Sequence, residues 1–370
     1  MDLLPKSFCR LPWNGLDISP QGGFKPCCKY NREIARDIDE YFSSTELAEL
    51  RAQFLAGEQP SGCQRCWDDE QAGIPSKRQI DDTYTFGGSE PDLQGLKTLS
   101  FPFGNTCNLA CVPCSSHSSS RWLAHDRKLP SEFSRPIFLQ NRFYEIPGFV
   151  ARIADLCDDV IHIDIPGGEP FYAEKKVHLE FLSRLRNPNR IKLHYTTNAT
   201  IFPDQEFWDI WDKFQGLDIQ LSIDGVADRF EYLRYPASWS VVTDNAARYQ
   251  ARDNLQISIS HTVSWLNVMY LDELFDWCQA EGLPEPYLGA VSRPAYLDPR
   301  CLPHTAKFSV IDRLSASEHA PVRQFAQYLS QHGPDVSWDQ CLRWIDALDL
   351  IRNRDWKSVF PELYKLVQNP

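Results

Sequence analysis

The chain has 370 residues, 42% of them hydrophobic, enough for one large α/β domain with a smaller appendage; wholesale disorder is excluded. Its formal net charge of −12 argues against broad electrostatic capture of duplex nucleic acid, which relies on Lys and Arg. No apolar run reaches the roughly 18 residues of a membrane helix, and the opening MDLLPKSFCRLPWNG lacks a charged stretch followed by an apolar one, so a cytoplasmic chain without a membrane span is expected.

Three segments differ in texture. Residues 1–90 are rich in cysteine and in turn clusters such as SPQGG and GEQPSG. One helix is predicted there: Ser43 and Glu46 have capping-box spacing, Leu47, Leu50 and Phe54 share a face, and Gly57 stops it. Residues 81–95 read as a linker.

Residues 91–300 alternate strand-like and helix-like stretches. The strand candidates are 96–103, 160–165, 191–196, 218–223, 255–263 and 286–291. Between them, Val177, Phe181, Leu182 and Leu185 form one apolar face, and Leu271, Leu274, Phe275 and Cys278 another. Strands alternating with helices imply βαβ units and a parallel sheet, and six such units suit a partial (β/α)6 barrel. Residues 301–370 carry two further helical stripes, Val322/Phe325/Ala326/Leu329 and Leu342/Ile345/Leu348, and read as a helical extension.

Twelve cysteines in a chain of this length point to metal or redox chemistry more than to a disulfide scaffold. Eight lie in the first 114 residues, at 9, 27, 28, 63, 66, 107, 111 and 114. Cys157, Cys278, Cys301 and Cys341 are scattered and read as ordinary packed thiols. After the first strand of the alternating region comes Cys107-x3-Cys111-x2-Cys114. Three thiolates can ligate three irons of a four-iron cube and leave one iron open, the arrangement a catalytic metal keeps for its ligand. A structural zinc ion with His117 as fourth ligand is the other reading of the same residues.

This motif resembles that of the radical S-adenosylmethionine (SAM) superfamily, and the resemblance extends along the chain. Pro166-Gly167-Gly168-Glu169-Pro170 is similar to the superfamily's GGE(P) element, where backbone and Glu hold the amino group of SAM. The glycines are expected to let the backbone approach that ligand closely. Thr196-Thr197-Asn198 is similar to its T-N-G, with Ala199 in place of Gly. Ser222-x-Asp224 is similar to an S-x-D element near the ribose and methionine carboxylate, or is a strand-end turn cap. Pro113 departs from the aromatic residue usual before the third cysteine.

The resemblance implies a [4Fe–4S] cluster on Cys107, Cys111 and Cys114 with SAM at the open iron, bound through Gly167, Gly168, Glu169, Pro170, Asn198, Ser222 and Asp224. It also implies an electron donor such as flavodoxin or ferredoxin, and a peptide, a nucleotide or nucleobase, or a small metabolite as substrate.

Gly22-x4-Cys27 followed by Cys63-x2-Cys66 resembles the auxiliary-cluster domains of SPASM/twitch members, here placed before the barrel, and Glu70, Gly73, Ser76, Arg78 and residues 118–122 (SSSRW) fit the same group. The implied ligands of an auxiliary [4Fe–4S] cluster are Cys9, Cys27, Cys63 and Cys66, with Cys28 as alternate. A four-cysteine zinc site suits the same residues and would make the segment a nucleic-acid binder; a non-catalytic iron–sulfur electron carrier is a further alternative. His162, His261, Tyr195 and Cys301 lie near strand ends or loops and read as structural. The basic stretch Arg121, Arg127, Lys128 and Arg135 is a solvated loop or a contact for a substrate phosphate. No catalytic residue is assigned.

Overall fold

A computed structural model describes residues 4–71, 73, 75–172 and 174–368. The chain is mixed α/β. Its eight-stranded sheet comprises β1 (Gly15–Ile18), β2 (Phe24–Lys25), β3 (Thr98–Ser100), β4 (His162–Ile165), β5 (Lys192–Thr197), β6 (Gly216–Ser222), β7 (Leu255–Val263) and β8 (Tyr287–Ala290), in the order β2-β1-β3-β4-β5-β6-β7-β8. The chain packs as two compact units. One holds the described residues within 4–106, 140–195 and 203–217, the other those within 107–139, 196–202 and 218–368, and β5 and β6 contribute residues to both.

In the first unit, β1 and β2 form a hairpin whose turn is the SPQGG cluster, closed by the Ser19 hydroxyl accepting from Gln21 and Gly23 N–H. The parallel registers then run Leu16–Leu99–Ile163–Leu193 across β1, β3, β4 and β5, and one residue further Asp17–Ser100–Asp164–His194. Successive side chains on a strand face opposite ways. One face of these four strands is therefore aliphatic and fully buried, the other polar.

The predicted helix runs Thr45–Leu55 and buries Leu47, Leu50 and Phe54, as the spacing required. Its cap is Ser44 and not Ser43: the Ser44 hydroxyl accepts from Leu47 N–H, while Ser43 ends the preceding helix (Ile38–Ser43) and donates to Asp39 O. Capping requires extended backbone at the cap, which Ser44 has (φ −67°, ψ 140°). Residues 81–95 are not all linker, because a helix at Lys77–Ile80 continues as a wide turn over Asp81–Thr85.

The second unit centres on an apolar core that takes in Val263 of β7, the helix Leu271–Ala280, and the C-terminal helices Ala320–Leu329 and Trp338–Arg352. The stripe Val322, Phe325, Ala326 and Leu329 is buried; of the second, Ile345 and Leu348 are buried and Leu342 is half-buried, with Cys341 and Trp344 taking its place on the buried face. Ala110 and Val112 of the cysteine loop join this core, both fully buried. No helix among the described residues is long and apolar enough to cross a membrane.

Candidate iron–sulfur and SAM site

The Cys107–Cys114 loop is held by its backbone. Ala110 and Val112 N–H donate to Tyr235 O and Leu233 O, both at 2.7 Å. The SSSRW stretch supplies the brace: the Ser120 hydroxyl accepts from Cys107 N–H at 3.2 Å, Ser119 donates to Leu109 O, and Trp122 Nε1 donates to Cys111 O at 2.8 Å. Arg352, from the last long helix, donates to Ala110 O. Basic Arg135 is turned inward onto buried Asp126 at 2.7 Å and over the Trp122 ring, so this part of the basic stretch is structural.

Two of the three sulfurs are met by N–H donors, while Cys114 Sγ donates to Ser115 O at 3.6 Å. Leu109 N–H reaches Cys107 Sγ at 3.4 Å, and Asn198 Nδ2 stands 4.0 Å from it. Arg234 Nη1 stands 4.0 Å from Cys111 Sγ. Donors of this kind tune a thiolate-bound cluster. Burial pushes the Cys111 thiol up against the opposing Arg234 charge, and pushes Cys114, which also feels Cys111, up to about 12. Thiols on one loop, two of them beside N–H donors, are the donor chemistry of a sulfur-ligated cluster. His117 bonds Ser118 and packs on Phe138. Among the described residues, no group of three or more His, Cys, Asp or Glu side chains is gathered to hold a single metal ion.

Asn198 braces the loop: its Oδ1 accepts from Thr200 N–H and hydroxyl, and its Nδ2 donates to Asn108 Oδ1. Ala199, in place of the expected Gly, is fully buried and adopts φ 59°, a left-handed conformation that favours glycine. Ser222, at the end of β6, is buried. Asp224 is 1% exposed, and both its carboxylate oxygens have protein partners, Thr262 N–H at 2.8 Å and Arg234 Nε at 2.7 Å. Beside it His261 bonds Ile223 O through Nδ1 and faces the Asn267 amide through Nε2; burial pushes its pKa down to about 4. Asp224 thus aims Arg234 at the cysteine loop. Arg234 carries no sequence motif, and only its place ten residues after Asp224, near a sulfur once folded, marks it.

In the first unit, the Gly167–Pro170 turn packs on the residues just before Cys107 in sequence. Gly167 has φ 137°, and a Cβ on Gly168 would stand 2.1 Å from Thr106 O, to which Glu169 N–H donates. The close approach that demands glycine at 168 is to the chain's own backbone. Glu169 is fully buried and accepts from Phe171 N–H at 3.3 Å.

The N-terminal cysteines Cys9, Cys27, Cys63 and Cys66 line a small cavity of about 20 Å³ walled by Tyr30, Phe54 and Trp67. Tyr30, Leu50, Phe54 and Trp67 form a small core of their own, which is what the apolar face of the Thr45–Leu55 helix is for. Burial pushes Cys63 up to about 12 and raises Cys9, Cys27 and Cys66 as well. Four soft donors around one void fit a sulfur-ligated cluster. Glu70, Ser76 and Arg78 lock the wall: Arg78 makes a two-pronged pair with Glu70 (2.6 and 2.7 Å), donates to Lys6 O and Phe8 O, and lies over Trp67; Ser76 donates to Glu70. Cys28 lines a different, polar cavity together with His162. Tyr195 and Cys301 are structural, Tyr195 against His178 and Trp211 and Cys301 against Ala295 O and Cys341.

No family model matches the chain, and no curated protein matches it. Solved structures similar to it include native anSMEcpe with bound AdoMet (19% identity, TM-score 0.40, 54% of this chain and 53% of that one) and native anSMEcpe with bound AdoMet and Cp18Cys peptide (17%, 0.42, 60% of each). A third is Streptococcus suis SuiB bound to S-adenosylmethionine (15%, 0.37, 70% and 54%). This chain spans about half the length of the first of these, and likeness at this level carries no argument about activity.

Proposed function

We propose that the chain is a radical SAM enzyme of the SPASM/twitch type, acting in the cytoplasm. The observation that carries this is the Cys107–Cys111–Cys114 loop, whose thiols meet Leu109 N–H, Asn198 and Arg234, on a chain that also has the Gly167–Pro170 turn. A four-iron cluster held by these three thiolates would, with SAM, supply radical chemistry for hydrogen abstraction from a substrate carbon. The chain's own residues do the holding. In the first unit, Glu169 and the 167–170 backbone would hold the amino group of SAM; in the second, Asn198, Ser222 and Asp224 would contact SAM, with Asp224 orienting Arg234. Residues 91–300 form the partial barrel, 301–370 the helical extension, and 1–90 the segment whose Cys9, Cys27, Cys63 and Cys66 hold a second cluster.

An electron donor such as flavodoxin or ferredoxin drives the reaction, and the substrate is a peptide, a nucleotide or a small metabolite. The test is anaerobic reconstitution followed by dithionite and SAM. 5′-Deoxyadenosine well above the level of a Cys107→Ala variant is expected; equal amounts would refute the proposal.

A further inference from the structure

Two arginines of the second unit meet the cysteine loop, and they differ in charge balance. Arg234 is paired, its Nε donating to the Asp224 carboxylate at 2.7 Å. Arg352, the last residue of the helix Trp338–Arg352, is 7% exposed. Among the described residues it forms no ion pair: Nη2 donates to Ala110 O, and Nε and Nη1 are buried without a hydrogen-bond partner. Asp349, one turn earlier on the same helix, is taken on both oxygens, by the Tyr232 hydroxyl and by Trp356 N–H, each at 2.6 Å.

The Arg352 guanidinium lies over the Trp122 ring at 5.1 Å and the Tyr235 ring at 5.0 Å. Both residues also hold the loop, since Trp122 Nε1 donates to Cys111 O and Tyr235 O accepts from Ala110 N–H. The carbonyl that Arg352 meets belongs to the peptide joining Ala110 to Cys111. A buried cation without an anion is costly, and two aromatic faces soften that cost without cancelling the charge. Three thiolates on a four-iron cube supply the missing negative charge, and reduction of the cube adds one more. Between buried groups such charges act with little screening.

We infer that Arg352 is the counter-cation of the cluster proposed on this loop, and that its charge eases the entry of the reducing electron. The inference rests on the function proposed above. Arg234 stands beside a sulfur, but Asp224 offsets its charge; no ion pair offsets that of Arg352. The C-terminal helices thereby take part in the redox chemistry of the site as well as in the core of the second unit.

The test is the reduction potential of the cluster in the anaerobically reconstituted protein, followed by EPR during a mediated dithionite titration. The signal lost from Cys107→Ala identifies the cluster on this loop. Arg352→Met is expected to lower its potential, so that at the parental midpoint the reduced-to-oxidised ratio falls by about threefold or more, which is about 28 mV for one electron. Arg352→Lys keeps the charge and is expected to keep the potential. Arg354→Met removes the same charge from an exposed side chain 5.7 Å from the same Tyr235 ring, where water screens it, and is expected to leave the potential unchanged. A merely structural role would follow side-chain shape and move Arg352→Lys as far as Arg352→Met. An unmoved potential in Arg352→Met, or an equal fall in Arg352→Lys or Arg354→Met, would overturn the inference. If Arg352→Met fails to assemble the cluster, iron content decides: assembly in Arg352→Lys supports the charge requirement, and failure in both overturns it. If Cys107→Ala loses no signal, the proposed function falls and the inference with it; a signal that depends on Cys107 but whose potential ignores Arg352 refutes the inference alone.

Discussion

Arg234 links Asp224 to Cys111: its Nε donates to the Asp224 carboxylate at 2.7 Å and its Nη1 stands 4.0 Å from the Cys111 sulfur. The two side chains of the ion pair are 11% and 2% exposed, so neither charge is solvated on its own. Breaking a buried pair from one side leaves an uncompensated charge and costs about 3–5 kcal/mol. Arg234→Met is therefore expected to be severely destabilised, and Asp224→Asn/Arg234→Met to recover much of the loss. Denaturant midpoints of the four proteins in this cycle check it; additive losses would mean that the pair is not coupled.

Arg78 ties Glu70 to the carbonyl just before Cys9. Arg78→Met is expected to open the four-cysteine cavity while leaving the Cys107 loop intact. Iron after reconstitution should fall from about eight to about four per chain, the content of one four-iron cluster. Cys107→Ala should lose a similar amount from the other site. Iron and acid-labile sulfide assays distinguish these outcomes, and a zinc atom in place of four irons in the unmutated chain would refute the second cluster.

His178 is fully buried, stacked on Phe103 and bonded to Tyr195 Oη at 2.8 Å, and burial pushes its pKa down to about 3. Its unfolded pKa is about 6.5. Between these values the unfolded chain binds the proton and the folded chain does not, so stability is full above pH 6.5 and falls as pH is lowered toward 3. The loss is of order several kcal/mol at about 1.4 kcal/mol per pH unit. His178→Gln keeps an acceptor for Tyr195 and removes the titration. Its thermal midpoint should be lower than the parent's at pH 7.5 and should decline less steeply between pH 6.5 and 4.

Gly168 has no room for a side chain, since a Cβ would meet Thr106 O at 2.1 Å, a backbone atom that cannot swing aside. Gly168→Ala is expected to cost about 1–3 kcal/mol through overpacking. Because Thr106 precedes Cys107, it should also slow cluster assembly. Thermal melts and the rate of iron uptake measure the two effects; a variant with parental melting would show that the turn can yield.

The six central strands and the apolar helix faces were legible because side-chain period reports directly which face is buried: His162–Ile165 and Leu255–Val263 fall inside their predicted stretches, and Leu271, Leu274, Phe275 and Cys278 are the buried residues of their helix. β1 and β2 were missed because four and two residues amid turns are too few to show a period. The Ser43/Ser44 error has the same origin, since neighbouring serines differ only in backbone angle.

Sequence alone also placed three cysteines at Cys107-x3-Cys111-x2-Cys114 spacing on one short stretch. Tertiary structure decided what lies beyond the reach of local spacing. Register set Asp17 beside Ser100 and Asp164, residues far apart in the chain. Folding left Cys27 lining both N-terminal cavities and its neighbour Cys28 only the polar one. It also brought Arg234 onto Asp224 and Cys111. Each of these is a pairing across the chain that no local pattern encodes, made by strand register and packing.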